Sequence, residues 1–434
     1  MRVVRSDRVV VGGEERPASI TIDDGKIVEI SSPGPADLDF GDLVIMPGLV
    51  DSHVHVNDPG RADWEGFATA TRAAAAGGTT TIVDMPLNSV PPTVTVAALH
   101  EKQAAADGKL TVDTAFWGGL IPGGEADLAP LAQEGVCGFK SFLVDSGVPE
   151  FPPIGADELA SALPVIADLG LPSLIHAEDP MGLGDLDGDP RVYDAYVASR
   201  PPAAEASAIA LLANLTRESR ASVHVLHISS AEAVAVLDPA ITGMSGETCP
   251  HYLTFCAEEI GDGATVFKCA PPIRSATHRE ALWEALRDGR LAMVVSDHSP
   301  APNEVKDLEG GDFGRAWGGI GSLQLRLPAT WTGAAARGAG LIDMAVWLAE
   351  APAKLAGIDD RKGSIAVGRD ADFVVWDPDG SIEVRGDRLE HRHPITPYQG
   401  MSLRGQVRAT ILRGEIVYDG DTIVGGRGRM LRRR

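Results

Sequence analysis

The 434-residue sequence predicts a (β/α)8 barrel, an α/β fold, beside a small discontinuous β-sandwich domain formed by both termini. Three observations predict this fold class. Apolar strand-like runs alternate with Ala- and Leu-rich helical runs through the middle of the chain, as in βαβ units. These strand-like runs number eight, which suits a closed parallel barrel. Both chain ends instead carry short β-branched runs separated by turns, and neither end has enough strands to form a core alone.

The barrel strands are predicted in eight runs, in chain order LVDSHVHV, TTIVDMP, DTAFWGG, GFKSFL, PSLIHAE, SVHVLHIS, GMSGETCP and AMVVSDHSP. Residues 47–365 are therefore the predicted barrel domain. Residues 1–46 and 366–434 together are the predicted sandwich domain, which brings the chain ends close to each other. An open doubly wound sheet is the alternative fold. It is disfavoured because no G-x-G-x-x-G run opens a helix after the first strand.

The composition of the chain argues against several classes of function. The net charge of −23 repels phosphate backbones and anionic membranes, so we expect neither nucleic acid nor a membrane as partner. The sequence contains no run of eighteen consecutive apolar residues, so no membrane span is predicted. The four cysteines form no C-x-x-C pair and the first residues lack a signal-peptide pattern, so a cytoplasmic protein is expected. The basic terminal run GRGRMLRRR is predicted to be solvated or to contact another subunit.

Polar side chains with metal-binding chemistry fall in or just after five of the predicted strands. In a barrel the carboxyl ends of the strands converge on one face, where active sites are built. Residues two apart on a strand share a face, so the first two histidines are expected to be neighbours on one ion. Four imidazoles and a carboxylate suit zinc, with manganese, cobalt or iron as alternatives. The residues are His53, His55, Lys140, His176, His227 and Asp297.

Among these six residues, Lys140 indicates most about the chemistry of the site. A protonated lysine buried in GFKSFL beside cations is very unfavourable, and a lysine that snorkels to the barrel rim is the alternative. A neutral amine can instead add carbon dioxide, and the two oxygens of the resulting carbamate can bridge two ions. A two-metal site holds a bridging hydroxide at neutral pH and polarises a carbonyl. Asp297 could accept the proton and pass it to a leaving nitrogen, which predicts hydrolysis at an amide-like carbonyl.

The remaining histidines are predicted to have other roles. His224 lies an odd number of residues from His227 and is expected to face the helix layer. His251 is expected to pack rather than to bind metal. His298 is expected to be structural, with a role behind the metal ligands as the alternative, and His391 is expected at the surface or in a subunit contact. The long Gly-rich loops DSGVPEFPPIG and NEVKDLEGGDFGRAWGGIG are predicted to be mobile lids.

These motifs resemble the cyclic amidohydrolases of the amidohydrolase superfamily over almost the whole chain, and most closely the allantoinases. The runs MPGLVDSHVHVNDPGR, AAAAGGTTTIVDMPLNSVPPT, ETCPHYL, FKCAPPIR and WGGIGSLQ carry the resemblance together with the strand motifs above. It implies two divalent metal ions held by the six residues, a carbamate on Lys140 and Asp297 as the catalytic group. It also implies ring opening of allantoin to allantoate, a homotetramer, and substrate contacts at Asn57, Ala270 and Gly318.

Related enzymes differ at positions that can be compared. Dihydroorotases carry an arginine where this chain has Asn57, and hydantoinases and dihydropyrimidinases carry a tyrosine where it has Asp145. Ser141 departs from the cysteine of many allantoinases, which puts metal preference or pocket shape in doubt. Arg61 could contact substrate or brace its loop.

Hydantoinase, dihydropyrimidinase or dihydroorotase activity is the alternative function. A non-catalytic scaffold or a metal-binding module on the same fold is the alternative from another class, and the complete ligand set argues against both.

Overall fold

The computed structural model of the chain describes residues 1–433. The N-terminal region forms strands only, as its β-branched runs and the Asp24-Gly25 turn predict. Strand β1 pairs antiparallel with β2 and parallel with β5, and β2 pairs with β3. The strands are β1 (Arg2–Val11), β2 (Glu14–Asp23), β3 (Lys26–Ser31), β4 (Leu38–Asp39) and β5 (Val44–Pro47).

The middle of the chain alternates strands and helices, as predicted. All eight predicted barrel runs contain strands, and the third is interrupted at Trp117, so that β8 and β9 follow one another directly. The strands are β6 (Leu49–Val54), β7 (Thr79–Asp84), β8 (Asp113–Phe116), β9 (Gly118–Gly119), β10 (Phe139–Phe142), β11 (Pro172–His176), β12 (Ser222–Val225), β13 (Met244–Thr248) and β14 (Met293–Val294).

The α-helices lie between and after these strands. They are α1 (Phe67–Ala76), α2 (Val96–Ala106), α3 (Glu125–Gln133), α4 (Ala156–Asp168), α5 (Tyr193–Ser199), α6 (Pro202–Ser219), α7 (Ala231–Val236), α8 (Pro250–Thr254), α9 (Ala276–Arg287), α10 (Arg326–Ala335), α11 (Leu341–Ala345) and α12 (Ala351–Ala356). The longest, α6, begins with a proline at its first position, where the missing N–H is tolerated. In residues 1–433 no helix combines the length and the apolar character that a membrane crossing requires.

The barrel strands are all parallel. Strands β6, β7 and β8 form one ladder, and β9 to β14 form another. The strand ladders alone do not close the ring. Closure comes from residues just beyond the strands: the His55 amide donates to the carbonyl of His298 at 2.8 Å, and Val54 and His298 form a parallel bridge. These backbone contacts bring the end of β6 beside the segment that follows β14, which positions the candidate site.

The two chain ends build one sheet. Strands β15 (Phe373–Glu383), β16 (Ser402–Leu412) and β17 (Glu415–Tyr418) continue it in the order β17-β16-β15-β5-β1-β2-β3, and β15 runs antiparallel to β5. Buried side chains from both ends, including Ile20, Ile45 and Phe373, form one apolar cluster. Eight of its fourteen buried residues come from the N-terminal strands and six from residues 365–411, so each end contributes to the burial of the other. The division into residues 1–46 with 366–434 and residues 47–365 stays a prediction.

The segment after β17 does not remain with the sheet. It crosses to the barrel, where Leu431 donates its amide to the carbonyl of Thr114 at 2.8 Å. The Arg433 guanidinium donates to the carbonyls of Cys137 at 3.0 Å and Gly170 at 3.1 Å. The prediction that the basic terminal run is solvated or contacts another subunit was therefore wrong for Arg433, because backbone carbonyls of its own barrel satisfy its donors. Arg434 lies outside the described residues.

Candidate metal centre and active-site cavity

The predicted cluster assembles at the carboxyl ends of the barrel strands. All six side chains line one cavity of about 410 Å³. His53 and Lys140 lie within β6 and β10, and His176 is the last residue of β11. His227 and Asp297 follow β12 and β14. The barrel geometry thus brings together residues up to 244 positions apart, as the convergence of parallel strand ends predicts.

The first half of the cluster consists of His53, His55 and Asp297. Their ligand atoms all lie within 4.8 Å of one another. The Asp297 carboxylate lies 3.1 Å from Nε2 of His53 and 3.5 Å from Nε2 of His55. Burial opposes ionisation of Asp297, but His53 and the other imidazoles hold its pKa well below the usual value. Burial lowers the pKa of His55 to about 4, so this ring is neutral near pH 7 and its lone pair is available.

His176 and His227 form the second half. Nδ1 of His176 faces Nε2 of His227 at 3.1 Å, so two ring nitrogens converge on one point. Burial lowers the pKa of both rings, and the neighbouring His176 lowers that of His227 further. Nδ1 of His227 is buried and has no hydrogen-bond partner. The rings of His53 and His227 lie 5.5 Å apart, which joins the two halves.

Lys140 is almost fully buried at 1% exposure. Its Nζ lies 4.6 Å from the centre of the Phe142 ring, and no carboxylate within residues 1–433 lies at ion-pair distance from it. Burial lowers the pKa of this amine to about 8, although the Asp297 and Glu247 carboxylates oppose the shift. The side chain therefore does not snorkel to the rim, and about a tenth of the amine is neutral near pH 7, far more than in an exposed lysine.

Two of the cluster residues have left-handed backbone conformations. The φ angle is 35° at His227 and 44° at Asp297, and the non-glycine neighbour Asn57 has a φ of 66°. Such conformations cost about 1–3 kcal/mol each and persist only where the surrounding structure fixes them. The side chains of His227 and Asp297 line the cavity just after β12 and β14 end. This concentration of strain marks the strand ends as a functional region.

A buried glutamate, Glu247 on β13, orients one ring of the cluster. Nδ1 of His53 donates to Glu247 at 2.6 Å, and Nε2 faces Asp297 at 3.1 Å. Burial lowers the pKa of His53, but the Asp297 and Glu247 carboxylates outweigh this effect and raise it. His53 and His224 outweigh the effect of burial and lower the pKa of Glu247 to about 2. Nε2 of His224 also donates to Glu247, at 3.0 Å. The prediction that His224 faces the helix layer was wrong, because the chain leaves the strand after Val225 and the two-residue alternation does not extend to His227.

A second glutamate, Glu178, orients His176. Nε2 of His176 donates to Glu178 at 2.7 Å, which leaves Nδ1 to face His227. Arg200 donates to the same carboxylate through Nε at 3.0 Å and through a second nitrogen. Burial of Glu178 is outweighed by His176 and Arg200, which lower its pKa to about 2. Carboxylate-oriented imidazoles are characteristic of histidines that bind metal ions.

Two of the three predicted substrate contacts line the cavity. Ala270 and Gly318 belong to its wall, and so does Asp145, the position that distinguishes the relatives. Asn57 lies behind the wall instead: its side chain is buried and donates to the carbonyl of Pro300 at 3.5 Å. Asn88 occupies the wall on this side, with its amide nitrogen 3.4 Å from Nδ1 of His55.

Both predicted lid loops border the cavity. Residues 145–147 belong to the first loop and residues 314–318 to the second. Arg61 braces the first loop, because it forms an ion pair with Glu150 and donates to the carbonyl of Asn88 at 2.6 Å. The Lys306 ammonium lies buried in the second loop and donates to the carbonyls of Trp317 at 3.0 Å and Gly319 at 2.8 Å. The mobility of these loops stays a prediction.

The other predicted structural histidines are buried. Nδ1 of His298 accepts from the amides of Ser322 and Leu323 at 3.1 and 3.3 Å, in agreement with a structural role. His251 packs against Tyr252, but its ligand atoms also lie within 4.8 Å of Cys249 and Asp297. His391 was predicted at the surface or in a subunit contact, and this was wrong: it is buried within its own chain beside His298, with ring centres 5.4 Å apart.

The residues of the cluster fit a metal centre. Ring nitrogens of four imidazoles converge with one carboxylate, and burial lowers the pKa of three of these rings, His55, His176 and His227. Nδ1 of His227 is buried without a hydrogen-bond partner. An orphaned buried nitrogen is costly unless something binds it. Glu247 and Glu178 were not predicted from the sequence. Glu178 lies two residues after His176, and this spacing, which places two side chains on the same face of a strand, could have indicated it.

The amidohydrolase family pattern matches residues 44–417, and the chain belongs to this family. Among its relatives is the allantoinase of Streptomyces avermitilis, 48% identical over 99% of this chain and 98% of that protein. The mitochondrial allantoinase of Aquarana catesbeiana is 45% identical over 82% of this chain and 76% of that protein. The solved L-hydantoinase (dihydropyrimidinase) of Arthrobacter aurescens superimposes with a TM-score of 0.93 at 30% identity, covering 100% of both chains. This likeness confirms the predicted fold class.

Proposed function

We propose that the protein hydrolyses the cyclic amide of allantoin to give allantoate, a step of purine breakdown. One observation carries the proposal: four imidazoles, a lysine and an ionised aspartate converge on one buried point of a cavity that can enclose a small ring. The allantoinases among the relatives support allantoin as the substrate, since their similarity extends over nearly the whole chain.

Two divalent metal ions are proposed as cofactors, with zinc preferred over manganese, cobalt or iron. His53, His55 and Asp297 would hold one ion and His176 and His227 the other, with Lys140 between them. When bound, the ions would supply an activated water at neutral pH and polarise the carbonyl that is attacked. Glu247 and Glu178 fix the protonated nitrogens of His53 and His176, so that the opposite nitrogens remain free to bind.

Lys140 is proposed to carry a carbamate. The neutral amine attacks carbon dioxide, the new N–C bond forms and one proton is released to solvent. The lowered pKa of about 8 supports this step, because the neutral amine is the reactive species. The resulting anion would also remove the difficulty of a buried ammonium beside cations.

Asp297 is proposed as the proton shuttle. Its depressed pKa keeps the carboxylate ionised near pH 7, so it can accept a proton from the attacking water. It then returns this proton to the ring nitrogen as the C–N bond breaks. The substrate is proposed to rest against Ala270 and Gly318, with Asn57 acting from behind the cavity wall.

A substrate panel tests the proposal against its alternatives. Purified, metal-loaded protein is offered allantoin, hydantoin, dihydrouracil and dihydroorotate, and ring opening is measured for each. We expect the highest kcat/KM with allantoin. A preference for hydantoin or dihydrouracil would indicate a hydantoinase or dihydropyrimidinase, and a preference for dihydroorotate a dihydroorotase. The absence of any turnover by fully metal-loaded protein would support a non-catalytic scaffold.

Two further properties are proposed. A homotetramer follows from the resemblance, and the molar mass in solution, measured by light scattering, tests it.

A cytoplasmic location is supported by four buried cysteines that form no disulfide. Fractionation of the native cells tests the location, and recovery in another compartment would contradict it.

A further inference from the structure

Lys268 is a cation on the cavity wall without a carboxylate partner. It follows a short 3-10 turn (Thr265–Phe267), and its side chain lines the same cavity as the histidine cluster. Nζ donates to the carbonyl of Ala316 at 2.6 Å and lies 5.2 Å from the centre of the Tyr196 ring. Within residues 1–433 no carboxylate lies at ion-pair distance from this nitrogen, and one acceptor leaves two of its three N–H groups unused.

Arg200, another cation that lines this cavity, has a carboxylate partner. Arg200 is fixed by two hydrogen bonds to Glu178, so its charge is compensated. Burial and the nearby Arg200 together lower the pKa of Lys268 to about 8, although the Asp312 carboxylate opposes the shift. An ammonium with unused donors in a partly desolvated wall gains when a ligand supplies an acceptor. Arg315 also lines the cavity, but it is exposed, so Lys268 is the half-buried cation on this wall that has no carboxylate at ion-pair distance.

The proposed substrate offers such an acceptor away from the reacting bond. Allantoin is a hydantoin ring that carries a ureido substituent, and the ureido carbonyl is a strong acceptor. Its N–H groups need an acceptor in turn, and the exposed carboxylate of Asp145 lies on the same cavity wall. We propose that Lys268 determines specificity by donating a hydrogen bond to the ureido carbonyl, so that allantoin is selected over hydantoins that lack this group. The inference rests on the proposed function.

Lys268→Met tests the inference, because methionine keeps the apolar stem beside Tyr196 and removes the donors. A site that hydrogen-bonds one substrate group discriminates against analogues without it. Loss of a hydrogen bond to a charged group predicts that kcat/KM for allantoin falls roughly tenfold to a hundredfold. For hydantoin it should stay within about threefold. The matched control is Lys354→Met, an exposed lysine at the end of α12, which should leave both substrates unchanged.

A second measurement applies if the protein hydrolyses hydantoin too slowly for kcat/KM to be determined. Hydantoin is tested as a competitive inhibitor of allantoin hydrolysis, and we expect its inhibition constant to be the same in the wild type and in Lys268→Met. Lys268→Arg, which retains donors, should recover part of the activity on allantoin. Equal losses of kcat/KM on both substrates would overturn the inference and assign Lys268 a structural role through Ala316, and so would no loss on allantoin. A wild-type protein that opens hydantoin but not allantoin would instead refute the proposed function.

Discussion

Replacing Glu178 by glutamine should weaken metal binding although Glu178 is not itself a proposed ligand. The carboxylate accepts from Nε2 of His176 at 2.7 Å and from Arg200, and all three groups are largely buried. Glutamine has nearly the same shape, but it is uncharged and carries an NH2 group in place of one carboxylate oxygen. The Nε–H of Arg200 and the ring N–H of His176 are accepted by different oxygens of Glu178, so glutamine cannot accept both. The ring is then free to rotate or to change tautomer, and Nδ1 no longer points reliably toward His227.

The expected loss of metal affinity follows from the role of Glu178, which orients His176. Losing the partner that orients a metal-binding histidine costs about tenfold to a hundredfold in metal affinity, which corresponds to about 1.4–2.8 kcal/mol. Affinity is measured by titrating metal-free protein against a chelator-buffered zinc series. Glu218→Gln, an exposed glutamate on α6, is the matched control and should leave the affinity unchanged. Unaltered zinc affinity in a folded Glu178→Gln protein would refute the reasoning.

Three further predictions concern the site and its surroundings. Lys140→Ala should empty at least one metal position, and a short-chain carboxylic acid should restore part of the activity; full metal content in the variant would contradict this. Asp297→Asn should keep much of the metal and lower turnover by roughly a hundredfold, with little change in KM; near-normal turnover would remove Asp297 from proton transfer. Burial lowers the pKa of His391 to about 4, below the unfolded value of 6.5, so the unfolded state binds more protons between these values. The free energy of unfolding should therefore fall as the pH falls from 6.5 to 4, and His391→Phe should flatten this slope in urea titrations; an unchanged slope would contradict it.

The sequence was sufficient where local patterns and barrel geometry decide the outcome. Apolar runs of strand length predicted all eight barrel strands, and the convergence of their ends predicted that His53, His176 and Asp297 would meet. The two-residue alternation also held from β6 to the residue that follows it, since His53 and His55 lie side by side with ring centres 5.4 Å apart.

The failures have physical causes. The alternation rule was applied from His224 to His227 across the end of β12, where the backbone turns to a φ of 35° and the parity is lost. The burial of His391 and the docking of Arg433 depend on contacts between segments far apart in the chain, which no local pattern encodes. Asn57 lies behind the cavity wall and contacts Pro300, and its role toward the substrate stays a prediction.

The most direct test of the proposed centre is a metal titration followed by allantoin turnover. Metal-free protein is supplied with bicarbonate and increasing zinc or manganese, and allantoate formation is measured at each ratio of metal to chain. Two ions bridged through Lys140 predict that activity rises with metal and saturates at about two ions per chain. Full activity in the metal-free protein, or saturation with no metal retained at His53, His55, His176, His227 and Asp297, would contradict the account.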